Sequence, residues 1–537
     1  MFQKLSSTQV LRRGRLTRRD LLRRSGLMAL PALLTESTLA GTQSAVGSPK
    51  TSDVYESIGV RPLINCRGTF TIISGSLMLP EVRTAMEAAA QRHVHLDELM
   101  EAIGQRLAEL TRAEWGMVSS GCAAGLTHAT AACVAGGNPD LHIRIPNLAG
   151  FPKDEVIIPK HSRNVYDAAV RAVGVRVIEV GTTEELEAAL GPRTAMIYIL
   201  AGPRADAGPP AFDEVVRLAA RANVPILVDA AAEVLTVPCV HLERGAALVG
   251  YSGGKCLRGP QTAGLLLGRK DLVRAAWVHS APHHGFARSM KVGKEEAVAM
   301  LKAVEMWIRR DHAAEWKTWL SWLDHIDRRV SQVPGIRTSV KEPTELSNRT
   351  PALAIRWNRS RLGLTGAEVS KLLLAGQPRI AVPPERDRDE EETGISVVAY
   401  MMSAGDEKIV AERVHEILSQ AGSRSPSPPA PPTADLTGRW DVRIQFASGT
   451  SDHTLYLKQV GNHLEGTHQG DFVARDLKGS ITGNLVSLSS SYSEQHGDAL
   501  NFRFSGSVSE DAMNGTLDMG EYLGARWSAK RHSYRRT

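Results

Sequence analysis

The sequence predicts an α/β protein, with a parallel sheet covered by helices on both faces, followed by a separate all-β module. Two patterns carry this expectation. From Asp154 to Ala230, apolar strand-like runs alternate with helical patterns: "DEVIIP", "VYDAAVRAVG", "VRVIEV", "TEELEAAL", "TAMIYIL", "AFDEVVRLAARAN" and "VPILVDA". Strands that are apolar almost throughout belong to sheets buried on both sides. Near the C-terminus the pattern changes to short alternating segments punctuated by glycine, such as "HTLYLKQ" and "LNFRFSGSV", which suits an antiparallel sandwich or barrel.

The elements follow in order along a chain of 537 residues, too long for one core. Residues 1–40 read as a twin-arginine export signal. Arg18 and Arg19 precede Leu21-Leu22, a short apolar stretch from Leu27 to Leu34, and a cleavage site at Thr38-Leu39-Ala40. That stretch is too short for a permanent anchor, so the expected location is the periplasm or beyond, reached through the twin-arginine export machinery. Lys4 and the arginines at 12, 13, 15, 18, 19, 23 and 24 exceed the formal net charge of +6. The basic balance therefore belongs to the leader, and no nucleic-acid partner is expected.

A linker (41–54) leads to a large domain (55–335). From there "PALAIRW", "GAEVSKLLLAG", "PRIAVPP" and "GISVVAYM" suggest a small α+β domain (336–420). The Pro/Ser-rich run "GSRSPSPPAPP" marks a stiff spacer (421–435) before the C-terminal β domain (436–537). Trp440 and Trp527 lie near the two ends of that domain and are expected to close one core. It shows no catalytic constellation and reads as an accessory binding or stabilising module. The five cysteines are odd in number and scattered, unlike a disulfide framework or a zinc site.

Chemistry concentrates around Lys255, in "YSGGKCLRGPQTAGLLLG". Upstream, Ser119, Ser120, Gly121 and Cys122 open an alanine-rich helix, whose N–H groups and dipole suit a phosphate. Asp229 ends an apolar strand, the edge at which open α/β sheets bind ligands. A carboxylate there calls for a cation. A phosphate-binding helix start, a strand-end aspartate and a later lysine together fit pyridoxal 5′-phosphate. The lysine binds the cofactor covalently and moves protons at the substrate Cα. The aspartate keeps the pyridine nitrogen protonated, and Ser252 is placed to add a hydroxyl. The glycines before Lys255 let the bulky cofactor and the backbone approach one another. His161 is the candidate for stacking on the ring, with Arg163 and Asn164 as alternatives. His93, His95, His283 and His284 lack a third ligand at suitable spacing, so no metal is expected.

The stretches "SGCAAGLTHATAAC", "HSRNVYDAAVRAVG", "VDAAAE", "SGGKCLRGPQTAGLLLGRKDL" and "MKVGKEE" resemble the fold-type I (aspartate aminotransferase-like) pyridoxal-phosphate enzymes. The resemblance is to the selenocysteine synthase (L-seryl-tRNA selenium transferase) group, in the branch that includes D-glucosaminate-6-phosphate ammonia lyase. It implies Lys255 as the Schiff-base lysine, Asp229 as partner of the ring nitrogen, and a homodimer or larger assembly. It also implies that Gly259, Pro260 and Gln261 approach the phosphate of a neighbouring subunit. The leader, the spacer and the C-terminal β domain fall outside the resemblance.

Arg258, Arg288 and Lys291, with Lys294 nearby, are candidates for holding an anionic substrate. Arg379 is the candidate for a carboxylate, which a planar guanidinium grips with two parallel bonds. The expected reaction is that of a lyase: Cα deprotonation, loss of a β-substituent and release of ammonia from an amino acid or amino-sugar acid. A β-replacing transferase ranks below it, because a tRNA substrate is cytoplasmic and the mature chain has no basic arm. A catalytically idle binding protein is the third reading, opposed by the presence of both Lys255 and Asp229. A racemase or aldolase outcome begins from the same chemistry and stays open.

Overall fold

A computed structural model describes residues 53–385, 391–421, 429–494 and 499–533. The export signal, most of the linker after it and half of the Pro/Ser-rich spacer lie outside the described residues. Two units divide the chain, 1–60 and 61–537. The described part of the first holds one turn of 3-10 helix, Glu56–Ile58, closed by Gly59 in the left-handed region.

In the second unit a short strand, β1 (Leu63–Asn65), comes first. Then follow β2 (Trp115–Ser119), β3 (Glu155–Pro159), β4 (Arg176–Val180), β5 (Thr194–Leu200), β6 (Ile226–Asp229), β7 (Leu248–Ser252) and β8 (Gly264–Gly268). These last seven form one sheet in the order β2-β8-β7-β6-β5-β3-β4. From β7 to β4 every pairing is parallel. β8 runs antiparallel to both of its neighbours, so the expected parallel sheet is found from β7 to β4, with one antiparallel strand between β7 and β2. The cause lies in the connection after β7: residues 253–263 contain no helix, and a parallel return needs a longer crossover.

The helix Cys122–Ala135 lies against this sheet and is buried nearly all round. Its alanines and glycine make that possible, since small side chains let the helix approach the strands closely. Tyr198, Val228, Leu248 and Leu266 are among the fully buried side chains of the sheet.

A second core gathers around β9 (Arg337–Lys341), β10 (Ala352–Asn358), β11 (Arg379–Ala381) and β12 (Glu392–Val398). β12, β10 and β9 form an antiparallel sheet, and β11 pairs with β1 in parallel. This core contains Leu353, Ile355, Trp357 and Val397, and it also takes in Cys66 and, from the helix His312–Val330, Leu323 and Ile326.

The C-terminal region is a barrel. Its strands are β13 (Gly438–Gln445), β14 (Thr450–Val460), β15 (His463–Gln469), β16 (Ala474–Thr482), β17 (Leu485–Ser493), β18 (Ala499–Ser509), β19 (Ala512–Asp518) and β20 (Gly524–Arg531). Each pairs with the next, and β20 closes on β13. Of the two all-β forms expected, the barrel is found. Trp440 and Trp527 both lie in its core. Closure removes the exposed edges that a free sheet would carry.

All five cysteines are free thiols. Among the described residues no helix is long and apolar enough to cross a membrane.

Candidate active site

The carboxyl edge of the central sheet collects the chemistry. Ser119, the last residue of β2, pairs with Gly264, the first of β8, and Gly264 pairs in turn with Ser252, the last of β7. Asp229 ends β6 beside Gly250, and β3 delivers the turn Lys160–Ser162 at its own carboxyl end. One strand edge thus carries Ser119, Ser252, Asp229 and His161.

Asp229 is buried. Its Oδ2 accepts from the Tyr198 hydroxyl at 2.9 Å, and its Oδ1 accepts from the Ala231 N–H at 3.1 Å. The Cys122 thiol points at Oδ1 from 3.7 Å. Burial pushes the carboxyl up, while the Ala231 and Tyr198 bonds and the charge of Lys255 pull the other way. Burial prevails, and the carboxylate has no ion-pair partner within 4 Å among the described residues. Cys122 shares the environment: burial pushes its thiol well up, and the charge of Asp229 adds to the effect.

Lys255 stands on the loop between β7 and β8, partly buried. Among the described residues its Nζ has no hydrogen-bond or ion-pair partner. The glycines before it are not empty space. A Cβ on Gly253 would stand 2.6 Å from Met300 Sδ and 2.7 Å from the Ala263 carbonyl oxygen; on Gly254 it would stand 2.6 Å from Gln261 Cα. Close packing of this loop against the chain's own atoms is therefore what calls for glycine at these two positions.

The helix start beside Ser119 is open. Gly121 holds φ +96° as its N-cap, and no side chain caps the helix. The Ser119 hydroxyl turns to the Gly121 carbonyl at 2.8 Å, and the Ser120 hydroxyl donates to the Met290 carbonyl at 2.8 Å. The first N–H groups of a buried helix are left for an outside acceptor. A buried carboxylate and an amine, each without an ion-pair partner among the described residues, and an uncapped helix start fit pyridoxal 5′-phosphate. Its pyridinium, aldehyde and phosphate need those three partners in turn.

No family model matches the chain. It is 29% identical over 380 residues to D-glucosaminate-6-phosphate ammonia lyase of Salmonella typhimurium, covering 69% of this chain and 99% of that protein. The solved structure of D-glucosaminate-6-phosphate ammonia-lyase superposes with a TM-score of 0.62 at 28% identity, over 69% of this chain and 99% of that one. An L-seryl-tRNA(Sec) selenium transferase of Moorella thermoacetica is 28% identical over 57% of this chain and 66% of its own length. A 5'-C-glycyluridine monooxygenase-decarboxylase of a Streptomyces species is 31% identical over 385 residues, 68% of this chain and 92% of that protein. The chain belongs to this group of fold-type I pyridoxal-phosphate enzymes. Its cofactor is pyridoxal 5′-phosphate.

The other expected residues of this pyridoxal-phosphate enzyme fall in different places. The His161 ring is clamped: Nε2 meets the Pro210 carbonyl at 3.1 Å, Nδ1 meets the Ser162 hydroxyl at 3.1 Å, and Gly208 packs beneath it. Nε2–H therefore donates to the carbonyl and Nδ1 accepts from the hydroxyl. Arg163 is consumed by Asp167 and Glu179 at 2.6 and 2.8 Å. Asn164 reaches the site indirectly, its amide donating to the Tyr198 hydroxyl at 3.0 Å. Gln261 faces its own chain, donating to the Thr71 carbonyl at 3.3 Å. Arg288 and Lys291 are exposed, and the Ser120–Met290 bond ties their segment to the helix start. Lys294 pairs with Glu295.

A cavity of about 590 Å³ opens beside the lysine loop, lined by Cys256, Arg258, Trp307, Arg310, Trp319, Arg349 and Tyr400, among others. Arg258 holds φ +55° and donates Nε to the Leu77 carbonyl at 2.9 Å. Arg310 is engaged with Glu315 at 2.8 Å and with the Cys256 carbonyl at 3.3 Å. Arg349 has no ion-pair partner among the described residues. It sits beside the loop that follows Asp229, because the Asn348 N–H donates to the Ala232 carbonyl at 2.8 Å and Ser347 bridges Glu233.

Arg379 is placed otherwise. Its guanidinium donates to the Leu374 and Arg61 carbonyls at 3.0 and 3.4 Å, and no described contact joins it to Lys255 or Asp229. Sequence reasoning missed both Tyr198 and Arg349. The first hides in an apolar strand, and the second is brought in by a pairing more than a hundred residues apart.

Proposed function

We propose that the protein is a lyase that takes an amino acid or amino-sugar acid, removes its Cα proton, expels a β-hydroxyl and releases ammonia. The observation that carries this reading is the Lys255 amine, unpaired among the described residues, beside a buried Asp229 and next to a cavity whose wall presents Arg349, which has no ion pair among those residues either. Pyridoxal phosphate, when bound, supplies an electron sink for charge developing at Cα.

The chain's own groups do the rest. Lys255 Nζ takes the Cα proton. Asp229 holds a proton on the ring nitrogen, and Tyr198 with the Ala231 N–H keeps its carboxylate ionised and oriented. The open helix start holds the phosphate. Arg349, with Arg258 alongside, grips the substrate carboxylate, and the tryptophans around them exclude water. Loss of the Cα proton and of the β-hydroxyl as water leaves an enamine, which hydrolyses to ammonia and a 2-keto acid.

The ammonia-lyase relative supports this outcome by its name. Residues 1–40 are read with it as an export signal, which favours an unphosphorylated substrate outside the cytoplasm. A homodimer or larger assembly, with Gly259, Pro260 and Gln261 near a neighbour's phosphate, is part of the same proposal. The test is release of ammonia and 2-keto acid from D- and L-hydroxy-amino acids and amino-sugar acids by the cofactor-loaded enzyme. Release from at least one of them is expected. Cofactor-loaded enzyme that racemises or cleaves these substrates without freeing ammonia would sink the lyase reading.

A further inference from the structure

The inside of the barrel is not uniformly apolar. Toward one end its inward-facing residues are Trp440, Leu457, Leu464, Ile481, Val486 and Val508, all buried. Toward the other end, where β14 begins and β15 ends, apolar residues such as Ile444 and Leu517 are joined by His453, His468, Arg475, Ser490 and Phe502. The strand register confirms the shared level: His468 pairs with Arg475, and Ser490 with Phe502.

These polar groups are deeply buried, with Arg475 7% exposed, His453 6% and His468 0%. The imidazoles form a relay: His453 Nδ1 meets His468 Nε2 at 2.8 Å, and His468 Nδ1 meets the Ser490 hydroxyl at 2.7 Å. With Ser490 donating, the relay leaves His453 Nε2 as an N–H donor, and among the described residues that atom has no hydrogen-bond partner. Two guanidinium nitrogens of Arg475, Nε and Nη1, are likewise buried and unpaired among the described residues. The guanidinium lies over the Phe502 ring, 4.7 Å from the centroid. The nearby carboxylate, Asp471, is 3.7 Å from His453 Nε2, half exposed, and held by the Ser451 hydroxyl at 2.7 Å.

A buried guanidinium with unpaired N–H groups costs stability unless an anion answers it. The other face of the problem is apolar. At the same end a cavity of about 380 Å³ is lined by Phe446, Leu500, Asn501, Phe502, Met519 and Tyr522. Phe502 belongs to both features. Eight-stranded closed barrels have an interior of the size that holds one small ligand.

We propose that this end of the barrel binds a small organic carboxylate, with its charge on Arg475 and His453 and its apolar body in the cavity against Phe502. The barrel is then a second ligand site, separate from Lys255.

The test uses the whole chain, titrated calorimetrically with benzoate and with neutral benzamide as probes. Benzoate is expected to bind saturably and benzamide not. Arg475→Met should weaken benzoate roughly tenfold to a hundredfold, the worth of one charge-assisted pair, and Phe502→Ala about tenfold. Because it removes an unpaired buried charge, Arg475→Met should melt no lower than wild type when no probe is present. His453→Gln supplies a second variant with the same expected direction. Benzoate that fails to bind, that binds no better than benzamide, or that binds Arg475→Met as tightly as wild type would overturn the proposal.

Discussion

Replacing Tyr198 by phenylalanine isolates one atom of the site. The side chain is fully buried in β5, and phenylalanine fills the same space, so no cavity opens. Its hydroxyl donates to Asp229 Oδ2 at 2.9 Å and accepts from Asn164 Nδ2 at 3.0 Å. Without it Asn164 keeps its bond to the Ser162 carbonyl at 2.8 Å, while Asp229 retains the Ala231 N–H and the weak thiol contact. A hydrogen bond to a charged acceptor contributes about 1.5–3 kcal/mol. Losing it lets burial push the Asp229 carboxyl further toward its neutral form, which does not hold a pyridinium. A loss of about 2 kcal/mol corresponds to roughly thirtyfold in affinity. Titrating apoenzyme with pyridoxal phosphate, followed by its visible absorption, should show that loss together with slower turnover. Wild-type affinity and turnover in Tyr198→Phe would refute the claim that this hydroxyl sustains the Asp229 charge.

Two further outcomes concern the arginines, and a third concerns acid. Arg349→Met should raise KM about tenfold or more with a smaller change in kcat, as loss of ground-state binding does. Arg379→Met should leave KM alone and cost about 1 kcal/mol of stability, since its bonds to the Leu374 and Arg61 carbonyls are structural. The reverse pattern in steady-state kinetics would exchange their roles. Acid should destabilise the fold through its buried histidines. Burial above all holds His128 and His279 down to about 4 and His468 down to about 3, against about 6.5 in the unfolded chain. Neutral imidazole is favoured in the fold, so this stability is complete above about pH 6.5. It is lost as pH falls through about 4 for His128 and His279 and about 3 for His468, on the order of 3 to 5 kcal/mol for each group. Urea midpoints that stay flat between neutral pH and the acid end of that window would contradict it.

What the sequence shows of this molecule follows the range of the interactions involved. Lys255 and Asp229 are legible because each sits in a local pattern, a turn after a strand and a strand end. The reversal of β8 has a local sign too, the absence of a helical pattern between "SGGK" and "TAGLLLG". Tyr198 has none. Within "TAMIYIL" it reads as one more apolar residue, and only the adjacency of β5 and β6 aims its hydroxyl at Asp229. Gly253 and Gly254 stand out in the sequence, but the reason for them is the folding of their loop back on Gln261 and Ala263 and the approach of Met300 from a later helix. Arg379 and Arg349 cannot be ranked from sequence: the bridge between Glu233 and Ser347 decides between them, and it is non-local. Alternating strands likewise cannot separate sandwich from barrel, since the choice rests on β20 meeting β13.

The most direct test of the central claim is to locate the cofactor's attachment point. Enzyme loaded with pyridoxal phosphate is reduced with borohydride, digested and mapped by mass spectrometry. The site geometry predicts a phosphopyridoxyl group on Lys255 and its disappearance, with the visible absorption, in Lys255→Ala. A modification that lies on another lysine, or that survives the substitution, would contradict it.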